Sequence, residues 1–193
     1  MLANITNYSD RISAGKRVEA EILNALRQKG YKIEDPTEQQ DKYDKIDGWW
    51  VDKKNNKHGV QVKFRQSGDD ILFELMKDLK RNIKGRDLLS KSVLYLVSDR
   101  NGITRLFHTK PIKDKAEQLL GMVEKDLQEN PQKTEWSGNG WQIKKQIDKA
   151  NRNEKLMAYF RPNMFEDLAT WNLNIHEVVL RECIKEFIVD MIK

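Results

Sequence analysis

The residues best suited to chemistry stand in two short stretches. Asp47 lies in "DKIDGWWVDK", and Gln61, Lys63 and Arg65 alternate with Val60, Val62 and Phe64 in "HGVQVKFR". If these stretches are neighbouring strands of a hairpin, a carboxylate, an amide oxygen and an ammonium converge at one end of a sheet. Such a set suits a divalent metal and a phosphate. Hydrolysing a phosphodiester at neutral pH needs a hard cation that polarises the phosphoryl oxygen and acidifies a water, and hard cations take oxygen ligands. Asp47 supplies charge and Gln61 a neutral oxygen. Lys63 can hold or deprotonate the attacking water and offset charge in the transition state.

A third acid has to come from elsewhere. In the opening helix Gly15, Val18, Ile22, Ala25 and Leu26 mark the buried side. At a step of about 100° per residue, Glu19 lies about 70° from the centre of that stripe and can reach over the sheet edge. Glu21 lies further off on the opposite flank and ranks below it. Asp44 has the opposite strand parity from Asp47 and ranks second among the aspartates.

The elements that must position these groups follow from periodicity. Residues 10–29 predict a helix stopped by Gly30, "YKIED" a short strand closed by Pro36, and 37–43 a polar loop. The Asn55-Asn56 turn joins the strands carrying Asp47 and Gln61 into an antiparallel hairpin. After "RQSGDD", where Asp69 or Asp70 can cap, "ILFELMKDLKRN" places Ile71, Leu72, Leu75, Met76 and Leu79 on one helical face. "SVLYLVS" reads as a buried strand, "DRNG" as a turn and "ITRLFHT" as a further strand. Helices over 111–129 and about 174–192 and a second hairpin around "KANRN" complete the chain. The fold class is α/β, with a mixed central sheet flanked by helices and elaborated by a C-terminal hairpin and helix.

Glu19 on an opening helix, then "KIDGWW" and "VQVKFR", in the order helix, three strands, helix, strand, resemble the PD-(D/E)XK nuclease superfamily. The phrases "GKRVEAEILNALRQKGYKI" and "DKIDGWW…VQVKFR" are similar to its archaeal-type Holliday junction resolvase branch. The resemblance covers residues 14 to about 98, with two departures. Gln61 stands where an acid is commoner, and Lys45 precedes Ile46 where resolvase relatives often have Glu. It implies a restriction-endonuclease-like core over residues 1–108 and an elaboration over 109–193 packed on it for DNA recognition or dimerisation. It further implies Mg2+, with Mn2+ as a substitute, bound by Asp47, Gln61, Glu19 and the backbone carbonyl of Val62. Lys63 would orient the attacking water, leaving 5′-phosphate ends.

Composition agrees with a nucleic-acid partner without requiring one. The 193 residues carry a formal net charge of +5, and 34% of them are charged. A polyanion fits that balance. Candidate DNA contacts are Arg65 and Gln66, a cluster of Lys77, Lys80, Arg81, Lys84 and Arg86, and a basic ribbon of Lys144, Lys145, Lys149 and Arg152 interleaved with Trp141, Ile143 and Ile147. No apolar run reaches the roughly 20 residues of a membrane span, and the N-terminus lacks a signal-peptide pattern, so a soluble cytoplasmic protein is expected. Cys183, alone, is a core residue, and His58, His108 and His176 lack metal-ligand spacing.

The function expected is a Mg2+-dependent endonuclease acting on duplex DNA as a homodimer, of restriction or mobile-element type, since cutting both strands takes two sites. A Holliday junction resolvase or other structure-specific nuclease is the second reading. A DNA-binding module with little catalysis on the same fold is the third, with Gln61 its main argument.

Overall fold

The computed structural model describes residues 8–65, 68–148 and 152–173. The helix expected over 174–192, with His176 and Cys183, lies outside them, as do Gln66 and Lys149.

Val18, Ile22, Leu23 and Leu26 recur at helical spacing and give α1 (Tyr8–Gln28) its buried stripe. Three strands follow: β1 (Ile33–Glu34), β2 (Gly48–Val51) and β3 (Lys57–Arg65). The chain continues through β4 (Ile71–Asp78), β5 (Ile83–Lys84), the single turn α2 (Arg86–Leu89), β6 (Leu94–Asp99) and β7 (Ile103–His108). Next come α3 (Thr109–Glu129), β8 (Glu135–Gly138), β9 (Trp141–Ile147), β10 (Glu154–Phe160) and β11 (Ala169–Asn172).

The strands form two sheets. The first is mixed, in the order β1-β2-β3-β6-β7-β11, with β3 and β6 parallel and the other pairs antiparallel. The second is antiparallel, in the order β5-β4-β10-β9-β8. Alternation along the central strands assigns each face of the first sheet to its own core. Val60, Val62, Leu94 and Leu96 meet α1, while Tyr95, Val97 and Phe107 meet Ile71, Phe73 and Leu75 of the second sheet and Ile112, Ala116 and Val123 of α3. The chain is therefore α/β, with a mixed sheet, an antiparallel sheet and helices.

The largest correction concerns residues 71–82, expected as a helix and found as the strand β4 over 71–78 followed by a turn. Ile71, Phe73 and Leu75 are fully buried while Leu72 and Glu74 are only half-buried, a period of two. Isoleucine and phenylalanine favour a strand, and the partner β10 comes from the far end of the sequence, beyond the reach of local periodicity. The 37–43 loop is also more ordered than expected, since Gln40–Asp44 form a π-helical turn ended by Lys45 in the left-handed region, φ 58°. Strands β5, β8 and β11 were not foreseen.

The second hairpin is present, but it is no free ribbon. β10 lies between β4 and β9, and β9 between β10 and β8, so neither strand is open to enter a groove. Lys144 faces Glu135 at 3.7 Å, Lys145 spends its ammonium on the Pro131 carbonyl at 2.9 Å, and Arg152 is exposed in the connecting turn. A division at residue 108 would cut both sheets, because β11 pairs with β7 and β10 with β4.

Phe73 separates the two conformations of its segment. On a helix bearing Ile71, Leu72 and Leu75 it would face away from the core, whereas in β4 it is fully buried against Tyr95, with ring centroids 5.8 Å apart. Phe73→Ala should lower the unfolding free energy in urea by about 3–5 kcal/mol. A loss below about 0.5 kcal/mol would indicate the helical arrangement.

Candidate metal and phosphate site

β2 and β3 run antiparallel with Gly48 opposite Val60, and the Asp47 N–H extends the ladder to the Val60 carbonyl at 2.8 Å. That register sets Asp47 beside the Gln61 position, as the hairpin reading requires. Asp47 then folds over its neighbour, and its Oδ2 accepts the Val62 N–H at 2.8 Å. α1 crosses the same edge. Glu19, Lys16, Asp41 and Asp47 line a cleft of about 150 Å3 with Ala20, Leu23, Arg27 and Asp35. Glu21 is exposed on α1 outside that lining, and Asp44 pairs with Lys91 at 2.7 Å.

Gln61 and Lys63 lie on the face of β3 turned away from the apolar stripe of α1. The strand is covered on both faces rather than half-buried: Gln61 is fully buried and the Lys63 side chain is 23% exposed. Both reach a residue that the sequence reading missed. Asp87, at the start of α2 and 2% exposed, receives Gln61 Nε2 at 2.5 Å and Lys63 Nζ at 2.9 Å on Oδ1. Its Oδ2 accepts the Glu74 N–H of β4 at 2.6 Å. A buried carboxylate needs such partners to exist at all. Gly85 makes the arrangement possible, since a Cβ there would stand 2.0 Å from the Glu74 carbonyl oxygen and push α2 off β4.

Gln61 must turn its amide nitrogen to the carboxylate, so its carbonyl oxygen takes the remaining direction. That Oε1 is buried and accepts no hydrogen bond. An unmet buried acceptor is unusual and marks a place where a cation or a donor belongs. Like the carboxylates of Asp47 and Glu19, it is an oxygen donor of the kind Mg2+ prefers. Among the described residues, no three His, Cys, Asp or Glu side chains form a cation centre by themselves.

Electrostatics separate the roles of these groups. Burial, and then the negative charge of Asp47, push Glu19 up to about 7, against the pull of Lys63, Arg86 and Lys16. Burial likewise raises Asp47, opposed by the Val62 N–H, Arg86 and Lys63. For Lys63, burial works against the charge, but the ion pair and hydrogen bond with Asp87, aided by Asp47 and Glu19, outweigh it and lift the pKa. Asp87 thus favours the charged form of Lys63, in which it can donate to a water or an oxyanion.

No family model, curated protein or solved structure matches the chain.

Of the other expected contacts, Arg65 stacks on Tyr159 of β10 at 5.6 Å with its Nε buried, which ties the two sheets together and withdraws it from an exposed strand end. Arg81 approaches Asp78 at 3.7 Å, and Lys80 and Lys84 are exposed along the β4–β5 connection. Arg86 stands apart from that cluster: Nη2 bridges Asp47 Oδ1 at 3.1 Å and Asp41 Oδ1 at 3.3 Å.

The contact with Asp87 accounts for the amide at position 61. A glutamate there would set two carboxylates face to face in a buried place, whereas the amide donates and the acid is carried by Asp87. Gln61→Glu should destabilise the protein by about 2–3 kcal/mol at pH 8, and adding Asp87→Asn should recover most of that loss. A double variant as unstable as the sum of the two single variants would show that the side chains do not interact.

Glu19 yields a pH prediction. Its folded pKa of about 7 exceeds the ordinary value of 4.5. The folded state therefore holds the proton more tightly, and stability is present below about 4.5 and lost as pH rises through 7. Glu19→Gln, which cannot ionise, should melt near the wild type at pH 5 and above it at pH 8. Each 1 kcal/mol is worth roughly 2–4 °C in a chain of this length. A melting difference that does not change with pH would place Glu19 in solvent.

Proposed function

We propose that the chain is a divalent-metal-dependent DNA endonuclease of the PD-(D/E)XK type. The observation that carries this reading is the buried, unpaired Oε1 of Gln61 on the strand paired with that of Asp47, with Lys63 held by the same Asp87. Asp47, Gln61, Glu19 and the Val62 carbonyl would hold Mg2+ or Mn2+. A metal bound there would polarise a phosphoryl oxygen and lower the pKa of a water.

The chain's own residues supply the rest. Lys63, held by Asp87, would have ammonium protons left to offer the attacking water or the negative charge that builds on the phosphoryl oxygens. Glu19, raised to about 7 by burial and Asp47 in the metal-free protein, would give up its proton on taking the cation. Asp47 is fixed in orientation by the Val62 N–H, so its other oxygen, now held by Arg86, is presented in one direction. Lys80, Lys84 and the exposed basic residues beyond α3 would carry backbone phosphates in a salt-sensitive manner. A homodimer would bring two sites to the two strands of a duplex, and a sequence- or site-specific enzyme of restriction or mobile-element type fits the second sheet added beyond what junction resolution needs.

One observation favours a second reading. Arg86 already neutralises Asp47, as it could in a module that binds DNA without cutting it. Incubation with plasmid, linear duplex, single strand and a four-way junction, in Mg2+, Mn2+ or EDTA, separates the alternatives. Discrete plasmid fragments are expected in Mg2+ and none in EDTA. Lys63→Ala should lower cleavage by about 10²–10³-fold while sparing DNA binding. Cutting of the junction alone would select the resolvase, and a salt-sensitive gel shift with no cutting would leave the binding module.

A further inference from the structure

We propose that Arg86 is a displaceable internal counter-ion: it holds Asp47 until a divalent metal takes that carboxylate, and its guanidinium then grips a phosphate oxygen of the DNA. This rests on the nuclease reading above and assigns Arg86 a specific role in it.

Four observations point this way. Asp47 Oδ2 is committed to the Val62 N–H, which leaves Oδ1 as the oxygen open to a cation, and Arg86 Nη2 sits on it at 3.1 Å. Metal and guanidinium thus compete for one atom. Arg86 Nε, by contrast, is buried and donates to nothing, so the present pose leaves an N–H unmet that a different acceptor would satisfy. Asp41, the second carboxylate under Arg86, is also paired with Lys16 at 2.9 Å through Oδ2, so it keeps a cation when Arg86 departs.

The fourth observation is that only the side chain need move. The Arg86 N–H is anchored to Glu74 Oε2 at 2.8 Å, and Gly85 is wedged against the Glu74 carbonyl. The Arg86 side chain is 37% exposed, so its head can reach solvent from that anchor. A planar guanidinium with parallel N–H groups matches two phosphate oxygens better than it matches one oxygen from each of two aspartates. Metal binding and DNA binding would therefore be coupled through one side chain, each strengthening the other.

The test compares wild type with Arg86→Gln, Arg86→Met and Asp47→Asn at pH 8. Mn2+ affinity is measured by isothermal titration without DNA, duplex affinity is measured with and without Ca2+, and melting curves check folding. Arg86→Gln should bind Mn2+ about tenfold tighter than wild type, yet lose the gain in DNA affinity that Ca2+ gives the wild type. Asp47→Asn should bind Mn2+ at least about tenfold more weakly. Arg86→Met, also uncharged, should repeat the first result and serves if the glutamine variant does not fold. Unchanged or weaker Mn2+ binding in a folded Arg86 variant, with a wild type that binds Mn2+ and cuts DNA, overturns the role of Arg86 alone. Tighter Mn2+ binding with the Ca2+ gain intact overturns the phosphate contact. A wild type that neither binds Mn2+ nor cuts DNA overturns the nuclease reading and this proposal together.

Discussion

A carboxylate at 2% exposure survives only if both oxygens find donors, and the structure around Asp87 is organised to supply them. One oxygen is shared by Gln61 and Lys63 of β3, the other is taken by the backbone of β4. Two strands from different sheets are thereby fixed to each other through a single side chain. The position of Lys63, the direction of the Gln61 oxygen and the seating of α2 all follow from that one buried charge.

The surrounding charges are laid out in alternation. Lys63 lies between Asp87 and the pair of Asp47 and Glu19, and Arg86 lies between Asp47 and Asp41, which in turn meets Lys16. Each acid thus faces at least one base, and the cleft is neither strongly acidic nor strongly basic. Such balance keeps two crowded carboxylates in a folded protein, and it also means that a metal entering the site must contend with resident cations.

Much of the site was legible because it is local. The alternation in "HGVQVKFR" fixed the parity of Gln61 and Lys63, the hairpin turn fixed Asp47 beside them, and helical spacing separated Glu19 from Glu21. Asp87 and Arg86 were not legible in these roles. They reach the site through α2, whose position depends on β4, and β4 was read as a helix because Leu72, Leu75, Met76 and Leu79 happen to fit that period as well. The alternation of Ile71, Phe73 and Leu75 was the available signal, and it becomes decisive only with the distant partner β10. The basic hairpin failed for a similar reason, since nothing in 141–160 says that strands will flank it.

The pairing of β4 with β10 bears on how the protein matures on the ribosome. β4 gains its main neighbour only when Glu154–Phe160 have been made, long after Asp47, Gln61 and Lys63 have left the exit tunnel. Until then β4, the residue that seats α2 and the carboxylate that fixes Lys63 lack their support. Synthesis runs at about 5–20 residues per second, so the interval lasts several seconds. A nascent chain would carry the residues of the candidate site without their geometry, which would form only once Glu154–Phe160 had been made.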